Sequence, residues 1–282
     1  MQIGAFCYNT AYSIRPEKLA VLMEERGYHS LWLPEHTNIP TSRRTPFPGG
    51  GELPKQYYHM MDPFVSLAAA ASVTTNLRLG TGISLVAQHD PIVLAKTVAT
   101  LDVISNGRVI LGIGGGWNAE ELEQHGCEFG SRWKVLREKV EAMKALWTQE
   151  EASYDGEFVK IESCFSYPKP VQQPHPPIVM GSATGMGRQR VVRYCDGWMP
   201  INVLLEDMPG AIADLRRRAE EAGRDPDSIE LSIFAQVGAN ADLLRRLRDL
   251  GFARAVIGVP TSAIDRVESV LDDFAPLISE LA

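Results

Sequence analysis

"ILGIGGGWNAEEL", Ile110 to Leu122, is the stretch on which the fold turns. An apolar run passes into three consecutive glycines and then into a segment of helical character. Gly114, Gly116 and Ala119 satisfy the G-x-G-x-x-A spacing of a dinucleotide-binding loop. That reading requires a helix opening directly from the glycines and, about 20 residues on, a second strand ending in an acid that meets a ribose. Here the chain instead reads "SRWKVLREK", residues 131–139, which is helical. The unit is also the fourth strand in the chain, whereas the fingerprint normally opens a domain. What remains is a turn that needs glycine, or a loop whose missing side chains let a large flat ligand approach the backbone.

Outward from this stretch the chain alternates short apolar runs with longer amphipathic segments. Ile3 to Cys7 is the first strand, followed by a helix that Pro16 opens and Gly27 stops. "SLWLP" from Ser30 is the second. Asp62-Pro63 and Asp90-Pro91 each pair an N-capping acid with a proline at the first helical position, on either side of a third strand in "LRLGTGI". Arg108 to Gly114 is the fourth strand, and a helix runs from Arg132 to Trp147. "PPIVMGS" is the fifth strand, with a helix from Gly185 to Tyr194. "GWMPI" is a weak sixth, with a helix from Asp207 to Ala222. "IELSIFAQVG" with "ADLLRRLRDLG", and "ARAVIGV" with "SAIDRVESVLDDF", complete eight strand–helix units. Eight such units without a linker predict one α/β domain over residues 1–282, a (β/α)8 TIM barrel. Two segments interrupt the rhythm. Thr37 to Met61 follows strand two, at the strand end where barrel enzymes place active-site loops. Glu151 to Pro176, between the fourth helix and the fifth strand, holds a possible hairpin around "YDGEF".

Bulk properties narrow the function. The 282 residues are 45% hydrophobic and carry a net charge of −7, which gives no general attraction to nucleic acid or anionic membrane. Cys7, Cys127, Cys164 and Cys195 form no C-x-x-C pair and stand beside no histidine cluster, so neither a disulfide framework nor a metal site is expected. "MQIGAFCYNT" lacks the features of a signal peptide, and no apolar run approaches the ~20 residues of a membrane span. The expected setting is the cytoplasm.

Several motifs together resemble one family. "LGTGI", "HDP", "LDVISNGR" and "LGIGGGWN", with "LWLPEH" upstream and "PPIVMGSATG" and "DGW" downstream, are similar to the bacterial luciferase-like monooxygenase superfamily, in the family's order. "GIGGGWNAEEL" and "FSYPKPVQQPHPPIVMG" most resemble its coenzyme F420-dependent oxidoreductases, although FMN-using members share most of these marks. The resemblance implies a (β/α)8 barrel with an isoalloxazine or deazaflavin ring in its mouth. It implies a non-proline cis peptide at Gly82-Ile83 backing the ring, with Ser84 beside it, and His36 as an acid or base near the ring. Asn118 would reach the cofactor's polyhydroxylated chain, or cap the helix that follows it. Gly181, Ser182, Ala183, Thr184 and Gly185 would take the cofactor phosphate at a helix N-terminus. Arg43, Arg44 and Lys55 read as solvated loop charges, or, in an F420 enzyme, as partners of the glutamate tail, which FMN lacks. Glu35 could orient His36 or bind elsewhere.

The expected function is hydride transfer between F420 or FMN and a small organic substrate, with no metal and a likeness to homodimeric proteins. Alternatives are an FMN-dependent monooxygenase fed by a separate reductase, a non-catalytic flavin-binding protein, and a sugar-phosphate enzyme that uses "GSATG" for its substrate.

Overall fold

The computed structural model describes residues 1–262 and 264–282. Eight parallel strands close into a barrel: β1 (Gln2–Phe6), β2 (Ser30–Leu33), β3 (Arg78–Thr81) and β4 (Val109–Ile113), then, beyond a hairpin of β5 (Glu151–Asp155) and β6 (Lys160–Phe165), β7 (Ile178–Met180), β8 (Gly197–Trp198), β9 (Glu230–Ala235) and β10 (Arg254–Gly258). β1 closes the ring by pairing with β10, Gly4 opposite Val256, and with β2, Gly4 opposite Ser30. The expected (β/α)8 barrel is therefore the observed one.

The helices are α1 (Pro16–Glu25), α2 (Pro63–Ala71), α3 (Pro91–Ile104), α4 (Ala119–Gln124), α5 (Arg132–Thr148), α6 (Gly185–Tyr194), α7 (Met208–Glu221), α8 (Ala241–Asp249) and α9 (Ile264–Leu281). Most begin as their sequences dictate. The Asp62 side chain accepts from the Val65 N–H and Asp90 from those of Ile92 and Val93, each with proline at N1. Asn118, Thr184, Asp207 and Asn240 cap α4, α6, α7 and α8 in the same way.

Two expectations change in detail. The sixth strand is only Gly197–Trp198, because Pro200 has no N–H to donate; the chain rejoins the sheet through a single bridge, Ile201 to Phe234. The closing helix runs to Leu281, past Phe274 and through Pro276, because Leu277, Ile278 and Leu281 continue its apolar stripe onto the core. The expected start of that helix includes Ala263, which lies outside the described residues. The segment after α5 contains the hairpin, β5 pairing antiparallel with β6.

Two apolar layers hold the barrel. One lies between strands and helices. The other fills the interior with Phe6, Trp32, Ile110, Val179, Met199, Phe234 and Val256. Each large buried side chain of this plug contributes roughly 1.5–3 kcal/mol. The plug also closes the barrel as a pore, so the ends of the strands are the places left for a site. No described helix is long and apolar enough to cross a membrane.

Candidate active site

A cavity of about 310 Å³ opens at the C-terminal ends of the strands. Phe6, Ile83 and Phe234 line it from the barrel axis, with the Phe6 and Phe234 rings 5.9 Å apart and edge-on. The loops after β2, β3, β4, β7 and β9 each add wall residues, and Tyr57 and Met60 come from the first insertion.

The Gly82-Ile83 peptide is cis, at the position the sequence motif indicated. The Ile83 side chain lies between the loops after β4 and β7: a methyl at Gly114 would stand 2.7 Å from Ile83 Cδ1, and one at Gly181 would stand 3.0 Å from Ile83 Cγ2. A methyl at Gly115 would fall 2.6 Å from the Trp133 indole, and Gly116 has φ +70°. The glycines of "GIGGGWN" are thus required first by the protein's own packing. The side chains that occupy their space, Ile83 and Trp133, are themselves cavity walls.

His36 lines the cavity, and its Nδ1 lies 2.7 Å from Oε2 of Glu121. Both side chains are buried. A carboxylate accepting from Nδ1–H fixes the tautomer whose lone pair is on Nε2, the ring nitrogen left free. The imidazole packs against Tyr57 and Trp117, with ring centres 5.4 and 5.8 Å away. Tyr57 and Tyr8, both cavity residues, share a hydrogen bond of 2.9 Å between their hydroxyls. Burial raises both phenols above their ordinary value, so both remain protonated donors.

Glu35 does not orient His36. Its buried carboxylate accepts from Ser84 Oγ (2.8 Å) and the Leu85 N–H (2.6 Å), and pairs with His89 Nε2 (2.7 Å). Burial alone would raise Glu35, but His89, Leu85 and Ser84 together hold it below its ordinary value. His89 is correspondingly raised: burial opposes its charge, and the bond to Glu35 outweighs that. Ser84 accordingly faces Glu35 and is not part of the cavity wall.

Gly181, Ser182 and Ala183 line the cavity, while Thr184 caps α6 and Gly185 opens it. Trp198 Nε1 holds the Ser182 carbonyl (2.7 Å) and Arg188 Nη1 holds that of Ala183 (2.9 Å), so the loop is pinned by its oxygens. The N–H groups of Ser182, Ala183 and Gly185 meet no protein acceptor among the described residues, which suits a phosphate. Asn118 is buried and caps α4 through Oδ1, 3.4 Å from the Glu121 N–H. Its Nδ2 is buried with no partner among the described residues, and Asn118 itself is not part of the cavity wall, although Gly116 and Trp117 beside it in sequence are. These orphaned donors fit a phosphorylated, polyhydroxylated cofactor.

The first insertion is stitched to α4. Asn38 bonds Gln124 (2.6 Å) and His125 (2.8 Å), Arg44 bonds Glu123 (2.6 Å), and Ser42 and Thr45 bond Glu120. Burial would raise Glu120, but these bonds, led by those from Thr45, bring it down to about 2. Arg43 turns back onto the Pro40 carbonyl, and Lys55 stacks 4.8 Å above the Tyr12 ring. None of Arg43, Arg44 and Lys55 lines the cavity.

Residues 11–275 match the family described as luciferase-like monooxygenase. The chain belongs to that family. Its curated relatives include flavin-dependent monooxygenases, and its structural neighbours include F420-dependent enzymes. This luciferase-like chain is 40% identical to an uncharacterized protein of Mycobacterium tuberculosis over 98% of each chain. Over 57% of its length it is 32% identical to the oxygenase component of the flavin-dependent trigonelline monooxygenase of Acinetobacter baylyi, of which it covers 41%. Among solved structures, the monooxygenase RslO1 of Streptomyces bottropensis matches all of both chains with a TM-score of 0.79 at 22% identity. An F420-dependent secondary alcohol dehydrogenase, solved with an F420-acetone adduct, has a TM-score of 0.77 at 19% identity, covering 100% of this chain and 99% of that one. Sequence reasoning about the luciferase-like chain missed Glu121, Tyr57 and Trp133. Glu121 lies 85 residues from His36, and as the third helical residue after Asn118 it reads simply as an acid suited to a helix N-terminus.

Proposed function

We propose that this chain is an oxidoreductase that binds a deazaflavin of the F420 type at the barrel mouth and transfers hydride to or from a small oxygen-bearing substrate. The observation that carries the reading is the coincidence, in one cavity, of an apolar slot backed by Gly82-Ile83, a loop of free N–H donors at α6, and the buried His36–Glu121 pair. When bound, the cofactor supplies the hydride chemistry. The chain supplies everything else. The N–H groups of Ser182, Ala183 and Gly185 would hold its phosphate, and Asn118 Nδ2, buried without a partner, would take a ribityl hydroxyl. Ile83, Leu85, Trp117 and Trp133 exclude water from the slot. Glu121 keeps Nε2 of His36 ready to take a proton from a substrate hydroxyl, or, once protonated, to return it to a carbonyl oxygen. Tyr8 and Tyr57 offer a hydroxyl pair beside it that can donate to the same oxygen.

The second reading, an FMN-dependent monooxygenase served by a separate reductase, is favoured by the 32% identity to an oxygenase component. Titrating the protein with F420 and FMN, each oxidised and reduced, tests both. Binding of F420 well below that of FMN in Kd supports the first reading and the reverse supports the second. Failure of all four forms to bind below about 1 mM, a weak affinity by any standard, removes both. Turnover that collapses in His36→Ala excludes a non-catalytic flavin carrier. A homodimer in the cytoplasm is the assembly and setting we propose with it.

A further inference from the structure

The basic side chains of the insertion are already engaged, so an acidic tail needs other partners. Two arginines flanking the wall residue Trp133 have no carboxylate partner among the described residues. Arg132 opens α5 and Arg190 lies within α6; the Arg190 guanidinium rests on the Trp133 indole at 4.1 Å, and that of Arg132 stacks on Phe129 at 3.6 Å with the Trp133 ring centre 5.6 Å away. No carboxylate lies within ion-pair reach of either among the described residues, while their neighbours Arg188, Arg217 and Arg218 all share Asp214. Among the described residues Arg132 makes one hydrogen bond, to the Phe129 carbonyl, and its Nε is buried with no partner, while Arg190 makes none. Burial lowers the basicity of Arg132 and the charge of Arg190 lowers it further, so the two groups feel each other. In a chain of net charge −7, two adjacent uncompensated cations are a costly arrangement that an incoming oxyanion relieves. Their position is equally pointed. Trp133 and the 182–183 backbone line the same cavity, and Arg190 belongs to the helix that this loop opens.

We propose that Arg132 and Arg190, set around Trp133, form an oxyanion subsite at the cavity rim for an acidic group on the cofactor's side chain. The proposal rests on the cofactor reading above. With F420 the group is a carboxylate of the glutamate tail; with FMN it is the terminal phosphate, which the arginines would share with the N–H groups of the loop that opens α6.

The test is equilibrium binding, followed by tryptophan fluorescence and dialysis, for wild type, Arg132→Gln, Arg190→Gln, the double variant and Arg190→Lys. The probes are F420, its riboside lacking phosphate and tail, FMN and riboflavin. The double variant should lose about 10- to 100-fold in affinity for the charged probe that wild type prefers, as for hydrogen bonds to charged groups, and less than about twofold for its uncharged counterpart. Arg190→Lys should recover part of the loss. A loss confined to F420 assigns the subsite to the tail, and a loss shared by FMN assigns it to the phosphate. Equal losses for charged and uncharged probes, or unchanged affinity for both charged ones, overturn the proposal. Wild type that binds none of the four removes the cofactor reading and the subsite with it, an outcome distinct from variants that bind as wild type does.

Discussion

Replacing Glu35 by Gln tests how the cavity floor is held. Glu35 follows β2, yet its carboxylate ties down the loop after β3 through Ser84, Leu85 and His89. The two oxygens divide the work: one takes Ser84 and Leu85, the other takes His89. A glutamine that keeps its carbonyl toward Ser84 and Leu85 must turn its NH2 toward His89 and lose that ion pair. Breaking a fully buried pair costs about 3–5 kcal/mol, and a single hydrogen bond to a charged group about 1.5–3. The His89 side chain keeps 25% of its exposure, so water partly compensates it and the lower range applies. The expected loss is about 2–3 kcal/mol, or a fall in Tm of roughly 4–10 °C for a chain of this size.

The loss should depend on pH. Glu35 is lowered from an ordinary value of 4.5, so its contribution is complete above that value and fades as pH falls through the lowered one. His89 is raised from 6.5, so its contribution is complete below 6.5 and fades as pH rises through the raised value. The ion pair is therefore strongest between pH 4.5 and 6.5. Urea denaturation of wild type, Glu35→Gln, His89→Gln and the double variant at about pH 5.5 and about pH 8.5 measures the coupling in both regimes. A loss below about 0.5 kcal/mol, within the range of an ordinary surface change, refutes the reasoning, and so does a coupling that is equal at the two pH values.

Other outcomes follow from the same geometry. Glu121→Gln should shift His36 from the Nδ1–H tautomer toward a mixture, read from its ring ¹⁵N shifts, and lower turnover by about 10- to 100-fold with little change in cofactor affinity; an unchanged tautomer rejects the orienting role. Gly115→Ala should displace Trp133, lower stability by about 1–3 kcal/mol and alter the tryptophan emission, and an unaltered melting curve would count against that packing. Thr45→Val removes the hydroxyl's bond to Glu120 and the bond it accepts from the Ala119 N–H, and leaves the backbone bond to Glu120 in place. Proteolytic nicking within residues 37–61 should then accelerate by about tenfold, for a local loss near 1.4 kcal/mol, with global Tm shifted by less than about 4 °C; an unchanged nicking rate rejects the anchoring.

Much of the fold was legible because local chemistry and tertiary structure agree in it. Asp62-Pro63 and Asp90-Pro91 cap the helices they announce, and the glycine-rich turn ends a strand as its pattern requires. The sixth strand was weak in sequence for the reason it is short in space, a proline two residues beyond it. The site divided differently. His36, Gly82-Ile83 and the 181–183 loop were indicated by the family resemblance, and each follows a strand whose place the barrel sets. Glu121, Tyr57 and Trp133 reach the cavity from a short helix, an insertion and the first turn of a long helix. Nothing in their own neighbourhoods indicates that destination. The partner of one insertion charge was hidden for a similar reason: Arg44 lies in a polar loop, and only the approach of α4 provides Glu123.

The seam between the insertion and α4 restricts how this site can be altered. The segment that supplies Tyr57 and Met60 to the substrate side is clasped by the helix that carries Glu121. A chimera that takes residues 37–61 from a relative to change what fits the cavity would also disturb the hold on His36. Transplanted alone, the new wall would meet Glu120, Glu123 and Gln124 as mismatched partners. Residues 37–61 and 119–125 are in this sense one exchangeable cassette, split in sequence and joined in space, and the unit for redesigning specificity is that cassette rather than either loop.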